Sequence, residues 1–229
     1  MSIILYNILV AVVGLAMSPF ITALIERYSE EKKIFTKEFW NDVKFDSKVA
    51  VSISIAFIVL LFVFGPGVDF VINAFVAILL IISFFVDLKA QIIPNDTNFI
   101  GFLVGIILAF IKFTIDGALG LDAILGMIAG AGIFLLIALF SLLVYKKVGM
   151  GLGDVKLMGM LGLFFGFANT VQIFVLSFLI GAIISIFLLV TKIKKSDEYI
   201  PFGPFIVMAS FITMIIPAST MVNWLLTVI

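Results

Sequence analysis

Neither a cysteine nor a histidine occurs anywhere in the 229 residues. Their absence excludes disulfides, thiolate catalysis, haem ligation, structural zinc on Cys or His, and every Ser–His or Cys–His nucleophile system. If the chain hydrolyses anything, carboxylates are nearly the only candidates left. Charge is also scarce, at 12% of residues, whereas 64% are hydrophobic and the mean hydropathy is +1.36. A soluble domain is nearer 45–50% apolar and about 25% charged. The composition therefore predicts a polytopic protein whose surroundings are the lipid bilayer. Its 14 basic residues balance 14 acidic ones, which gives no sign of a nucleic-acid partner.

Apolar runs at 3–25, 49–66, 70–86, 97–115, 122–144, 155–169, 170–191 and 203–228 are separated by short polar segments. They predict an all-α membrane bundle of about eight transmembrane helices, forming a single domain over 1–229. The first run is read as a retained span because no small-residue cleavage site follows it. The break between the sixth and seventh rests only on Asn169, Thr170 and Gln172. With this topology, 13 of the 14 basic residues fall on one side, and only Lys112 lies near the other. That asymmetry predicts a cytoplasmic face there, with both termini outside. The same face holds the loop at 26–48, which mixes six acids with six bases and carries Phe35, Phe39 and Trp40. A short helix lying on the membrane surface is expected within it.

Two aspartates stand out on the cytoplasmic side. Asp87 ends the apolar run Phe70–Val86, and Asp154 closes the stretch Gly149-Met150-Gly151-Leu152-Gly153-Asp154. A carboxylate at the edge of hydrocarbon costs several kcal/mol, so each is a functional candidate. Pro94 stops simple helix continuation after Asp87, and Asn95-Asp96-Thr97 offers caps for the next helix. Glycine at 149, 151 and 153 weakens helix by about 1 kcal/mol per position and lets backbone approach backbone. Taken singly, each acid also fits a plainer account: Asp87 as a solvated helix end, Asp154 as a helix cap. As a pair they could do acid–base work. One carboxylate would activate water while the other protonates the scissile carbonyl and then the leaving amine. Such a pair titrates with separated apparent pKa values. Lys89 and Lys156 each follow an aspartate by two positions, do not face it on a helix, and read as snorkelling anchors.

Three segments carry a family resemblance: Asp87…Ile93-Pro94-Asn95-Asp96, Gly151-Leu152-Gly153-Asp154-Val155-Lys156-Leu157-Met158-Gly159, and Ile200-Pro201-Phe202-Gly203-Pro204-Phe205. In order and spacing they resemble the type IV prepilin peptidase family, membrane aspartyl proteases of the G-x-G-D type. The resemblance implies that Asp87 and Asp154 form the catalytic dyad of an endopeptidase working at the cytoplasmic face. Its substrates would be prepilin-like or archaellin-like proteins, cut after a short basic leader. Gly151 and Gly153 would shape the active loop, and Pro201, Phe202, Gly203 and Pro204 would break the chain before the last span and help receive substrate. No metal and no cofactor is implied. Many bacterial members carry a larger, cysteine-paired zinc domain between their first two spans and also methylate the new N-terminus. The 23-residue loop here has no cysteine, so neither zinc nor methyl transfer carries over. The presenilin-like branch pairs Tyr-Asp with Pro-Ala-Leu, whereas this chain has Val86-Asp87 and no Pro-Ala-Leu.

The rival from another class is a proton-coupled transporter using the same carboxylates. Transporters place acids and broken helices near the membrane midplane in matching halves. Here no acid lies mid-span, and the halves show no matching breaks. A non-enzymatic assembly subunit would instead use its glycines for helix packing. Asp69, Asp96, Asp116 and Asp122 read as loop or capping residues. Gly14, Gly101, Gly105, Gly126, Gly130 and Gly132 read as helix-contact positions.

Overall fold

The computed structural model describes residues 3–34, 36–146, 150–193 and 200–228. All regular structure among them is helical: α1 (Ile3–Ser29), a 3₁₀ turn (Lys37–Asn41), α2 (Ser47–Phe64), α3 (Val68–Ala90), α4 (Asn95–Ile115), α5 (Gly117–Tyr145), α6 (Leu152–Val190), α7 (Gly203–Ile215) and α8 (Ala218–Val228). Six of these helices are long and apolar enough to cross a membrane, or seven if the bent pair α7–α8 counts as one span. The chain is thus an all-α, multi-pass membrane protein. It divides into two compact units, residues 1–91 and 92–229.

In the first unit, α1, α2 and α3 pack on one another. Asp46 caps α2 by accepting the Lys48 N–H at 2.7 Å, and Gly65 ends that helix with φ 67°. A Cβ on Gly14 would lie 3.0 Å from Ser54 Oγ, so α1 and α2 approach through a glycine as expected. The polar loop is organised by Arg27, which is only 3% exposed. Its guanidinium donates to the Lys33 carbonyl at 2.9 Å, to Asp42 Oδ2 at 2.6 Å and to Thr36 Oγ1 at 2.6 Å. A charge buried at this depth persists only because every side of the fork is matched. At the loop surface Glu30 accepts a hydrogen bond from Lys32 and so raises the ammonium's pKa above its ordinary value. The expected surface helix is a single 3₁₀ turn, with Trp40 set edge-on to Phe20 of α1 at 5.9 Å between ring centroids. Phe35 lies outside the described residues.

In the second unit the central question is α6, 39 residues long. A straight helix of that length would run about 58 Å, nearly twice the hydrocarbon thickness. Gly166, at φ 74° and ψ 179°, interrupts it in a conformation that essentially only glycine adopts. The contacts on either side show that the chain turns back. A Cβ on Gly130 would collide with the Met158 carbonyl and also lie 3.0 Å from the Thr170 methyl. In a straight helix Met158 and Thr170 would be about 18 Å apart. Phe134, one turn further along α5, meets Phe174 at 5.8 Å, while Gly126, one turn earlier, faces Gly162 and Gly166. Both arms of a helical hairpin therefore flank α5, one antiparallel and one parallel to it. Sequence reasoning separated the same two arms but put the break at Asn169–Thr170; it falls at Gly166, where a glycine alone can take the dihedrals. The turn is fastened by Asp122 Oδ1, which accepts the Phe167 N–H at 3.1 Å, and by Lys112 Nζ, which donates to the Phe164 carbonyl at 3.1 Å. Asp116 behaves as expected, capping α5 through the Ala118 N–H at 2.8 Å.

One expected span needs correcting. The run 203–228 is not a single helix, because α7 and α8 meet at a bend of 71°. Pro217 lacks an N–H and disfavours helical geometry in the residue before it. Ile216 accordingly leaves the helix at φ −124°, ψ 88°. The Ile216 carbonyl is taken by Gln172 Nε2 at 2.8 Å, and Asn169 Oδ1 accepts the Ala218 N–H at 2.8 Å. Of the glycines read as helix contacts, Gly14, Gly105, Gly126 and Gly130 lie against neighbouring helices, whereas Gly132 faces open space.

Two outcomes test this architecture. Gly166→Ala is expected to lower stability by about 1–3 kcal/mol, from backbone strain together with collision of the new methyl with Asp122, measured by thermal unfolding in detergent. Arg27→Ala is expected to expose the segment between α1 and α2 to limited proteolysis; an unchanged digestion pattern would count against the Arg27 clasp.

Candidate active site

Asp87 sits in the last turn of α3 and is only 4% exposed. Ser83, one turn earlier on the same face, and the adjacent Val86 are buried with it. The helix does not stop at the aspartate, as a solvated helix end would. It runs on to Ala90 and closes on Gln91, which takes the left-handed conformation at φ 57°, ψ 35° and returns its N–H to the Asp87 carbonyl at 3.0 Å. A non-glycine residue in that conformation costs roughly 1–2 kcal/mol. The strained cap leaves the carboxyl group one turn inside the helix and out of water.

Asp154 belongs to the second unit and is likewise 4% exposed. Gly151 is the extended residue before α6, at φ −66°, ψ 138°, and its carbonyl accepts the Asp154 N–H at 3.1 Å. A Cβ on Gly151 would come within 3.3 Å of Asp154 Oδ2. The carboxylate therefore folds back over a backbone kept bare by glycine, at the helix end whose dipole favours negative charge. Gly153 serves a different contact. Its Cβ would stand 3.0 Å from Ile93 Cβ, so the missing side chain lets α6 close on the segment before α4. Gly149, the third glycine of the expected loop, lies outside the described residues.

The start of α4 completes this corner. Pro94 is the residue before the helix, and Thr97 Oγ1 donates to its carbonyl at 2.8 Å. Asn95 does not act as a cap. Its Oδ1 instead accepts from Lys156 Nζ at 2.8 Å. Lys156, read from sequence as an anchor only, thus ties the first turn of α6 to the first turn of α4. Sequence reasoning missed this pair because the partners are 61 positions apart and no spacing rule links them.

Pro201, Phe202, Gly203 and Pro204 do break the chain before α7, with Gly203 and Pro204 in its first turn. The Phe202 ring lies 4.9 Å from Phe178, 5.7 Å from Phe205 and 6.0 Å from Phe134. Gly181 admits the Phe205 ring to 2.8 Å from its absent Cβ. The segment thus joins α5, α6 and α7 through an aromatic cluster, and its visible work is packing. Among the described residues no three Asp or Glu side chains group as a metal site would need. The second unit brings Gly151, Gly153, Asp154 and Lys156 together with Ile93 and Asn95, while Asp87 belongs to the first.

The Gly153–Ile93 contact is open to a double-mutant cycle. Glycine to alanine in an unhindered helical position gains about 0.5–1 kcal/mol. Here Gly153→Ala is expected to lose about 1 kcal/mol instead, from overpacking, and Ile93→Ala should recover most of the loss. A stabilised Gly153→Ala single variant would contradict the contact.

Residues 74–186 match the type IV leader peptidase family. A prepilin leader peptidase/N-methyltransferase of Legionella pneumophila is 35% identical over 154 residues, 66% of this chain and 52% of the relative. Proteins of the same name from Aeromonas hydrophila and Pseudomonas aeruginosa are 31% identical over 148 residues and 36% identical over 95 residues. These alignments cover 62% and 41% of this chain, and 48% and 32% of the respective relatives. The chain thus spans about half the length of the curated relatives it matches. No solved structure matches it significantly. The matched segment contains both buried aspartates, the Gly151–Gly153 turn and the Asn95–Lys156 link, and over these residues the chain is similar to the type IV leader peptidase family.

Proposed function

We propose that the chain is a membrane aspartyl endopeptidase that removes the short basic leader from prepilin-like substrates, archaellin-like ones among them, with Asp87 and Asp154 as its dyad. The observation that carries this reading is the burial of both carboxyls, each 4% exposed at a helix end, inside the segment that matches the leader peptidase family. Buried acids at helix ends cost stability, and such costs persist where chemistry needs them. The two units work as one peptidase domain, placed in the plasma membrane with its site on the cytoplasmic face. The lysine asymmetry supports that orientation, since Lys89 and Lys156 flank the two acids on the face rich in basic residues.

In the reaction the dyad holds one proton between two carboxyls. The ionised member takes a proton from water, whose oxygen attacks the scissile carbonyl. The protonated member gives its proton to the carbonyl oxygen, forming a neutral tetrahedral diol. Collapse breaks the C–N bond as the acid formed in the first step protonates the nitrogen and the other carboxylate takes a hydroxyl proton from the diol, leaving a product carboxyl group and a dyad that again shares one proton. Peptidase activity alone is proposed, and the methyltransferase half of the relatives' names is not carried over.

The test is cleavage of a prepilin-type substrate by the detergent-purified chain. Asp87→Asn and Asp154→Asn are each expected to lower kcat/KM by about 10²–10⁴-fold while unfolding at or above the wild-type midpoint. The wild-type rate should be bell-shaped in pH, falling on the acid side when both carboxyls are protonated and on the alkaline side when both are ionised. Wild-type cleavage by both variants would overturn the proposal.

A further inference from the structure

Asn98 lies in the first turns of α4 and is 2% exposed, yet neither its Nδ2 nor its Oδ1 meets a hydrogen-bond partner among the described residues. Thr22 and Thr213 likewise leave their single buried hydroxyl open, whereas the buried carboxamide of Gln172 keeps one bond, from its Nε2 to the Ile216 carbonyl. A buried carboxamide with both ends open costs a few kcal/mol, so it is kept at the expense of stability.

Its place follows from the register of α4 on α6. Asn95, Asn98, Phe102 and Gly105 share one helical face, at spacings of three and four residues. Asn95 bonds to Lys156, the Phe102 ring reaches to 3.3 Å from the Cβ position of Gly159, and Gly105 faces Leu163. Asn98 therefore stands on the α6-facing side of α4, level with the helical turns that follow Asp154. A buried carboxamide with both ends open thus shares a corner with a proposed catalytic acid.

The chemistry of the proposed reaction supplies that partner. Cleavage beside a membrane helix requires the substrate to unwind locally, which strips peptide N–H and C=O groups of their intrahelical bonds where water is scarce. One peptide group presents one donor and one acceptor, and a carboxamide is its complement. Resting on the peptidase reading above, we infer that Asn98 is a substrate-binding residue whose carboxamide holds a backbone peptide group of the unwound segment beside the scissile bond. Because the side chain is buried at rest, this contact forms as the substrate opens the face of α4, a conformational step before chemistry.

The experiment compares Asn98→Leu and Asn98→Ser with wild type and with Asp154→Asn, recording thermal midpoint, kcat and KM on one prepilin-type substrate. Leucine has the same branching and number of heavy atoms and no polar atoms. It is expected to keep or raise the midpoint while lowering kcat/KM at least about tenfold, chiefly through KM, since two hydrogen bonds are lost. Serine, with one donor and two acceptor lone pairs, should retain part of the affinity. A cleaving wild type whose Asn98→Leu variant keeps full kcat/KM overturns this inference alone. So does a leucine variant whose midpoint and activity collapse together, because that marks a structural residue. A wild type that cuts nothing, or an Asp154→Asn variant that cuts normally, overturns the peptidase reading and the inference with it.

Discussion

The second unit depends on direct backbone contact between α5 and α6. Between helices in hydrocarbon there is no hydrophobic drive, so association rests on close packing and on small residues that permit it. Gly126 meets the backbone of Gly162, Gly130 meets the Met158 carbonyl, and Gly159 lies against Ala131. A single methyl on Gly162 would collide with the Gly126 backbone. From this seam the rest follows. The first arm of α6 is fixed in height and rotation against α5. Its turn at Gly166 reaches Asp122, and its second arm brings Phe174 and Phe178 to Phe134.

The same seam sets the height of Asp154. The first arm of α6 is only about 21 Å long between Leu152 and Gly166. Its lower end is held by Ile93 packing where Gly153 has no side chain and by Lys156 bonded to Asn95. A carboxylate at that end is positioned through rigid helices rather than a loose loop, which is what precise acid–base work needs.

Much of this was legible in the sequence, because hydropathy and glycine placement are local signals. Asp87 and Asp154 stood out for a physical reason, charge against hydrocarbon, and both prove buried at helix ends. Pro201 to Pro204 announced the start of α7 by their backbone limits. What was not legible depends on partners distant in sequence. The turn of the α6 hairpin looked like Asn169–Thr170 because polar residues mark loops. It lies at Gly166 because Asp122 and Lys112, both from other helices, satisfy the opened backbone there. The link from Lys156 to Asn95 and the open carboxamide of Asn98 likewise exist only once α4 lies beside α6. The bend at Pro217 was available to a stricter reading, since a proline inside an apolar run ends or kinks a helix at the preceding residue.

The central claim is that Asp87 and Asp154 act as one dyad, and the most direct measurement is their proximity. The chain has no cysteine, so an Asp87→Cys/Asp154→Cys double variant carries the only two thiols. A dithiol-reactive reagent just long enough to bridge two carboxyls sharing a proton should link them in membranes and change the chain's electrophoretic mobility. An Ile93→Cys/Gly153→Cys variant, with Cβ positions 3.0 Å apart, serves as a pair that must link. The account predicts linkage of both pairs. Linkage of the control pair alone, with both thiols of the first pair reactive, would contradict it.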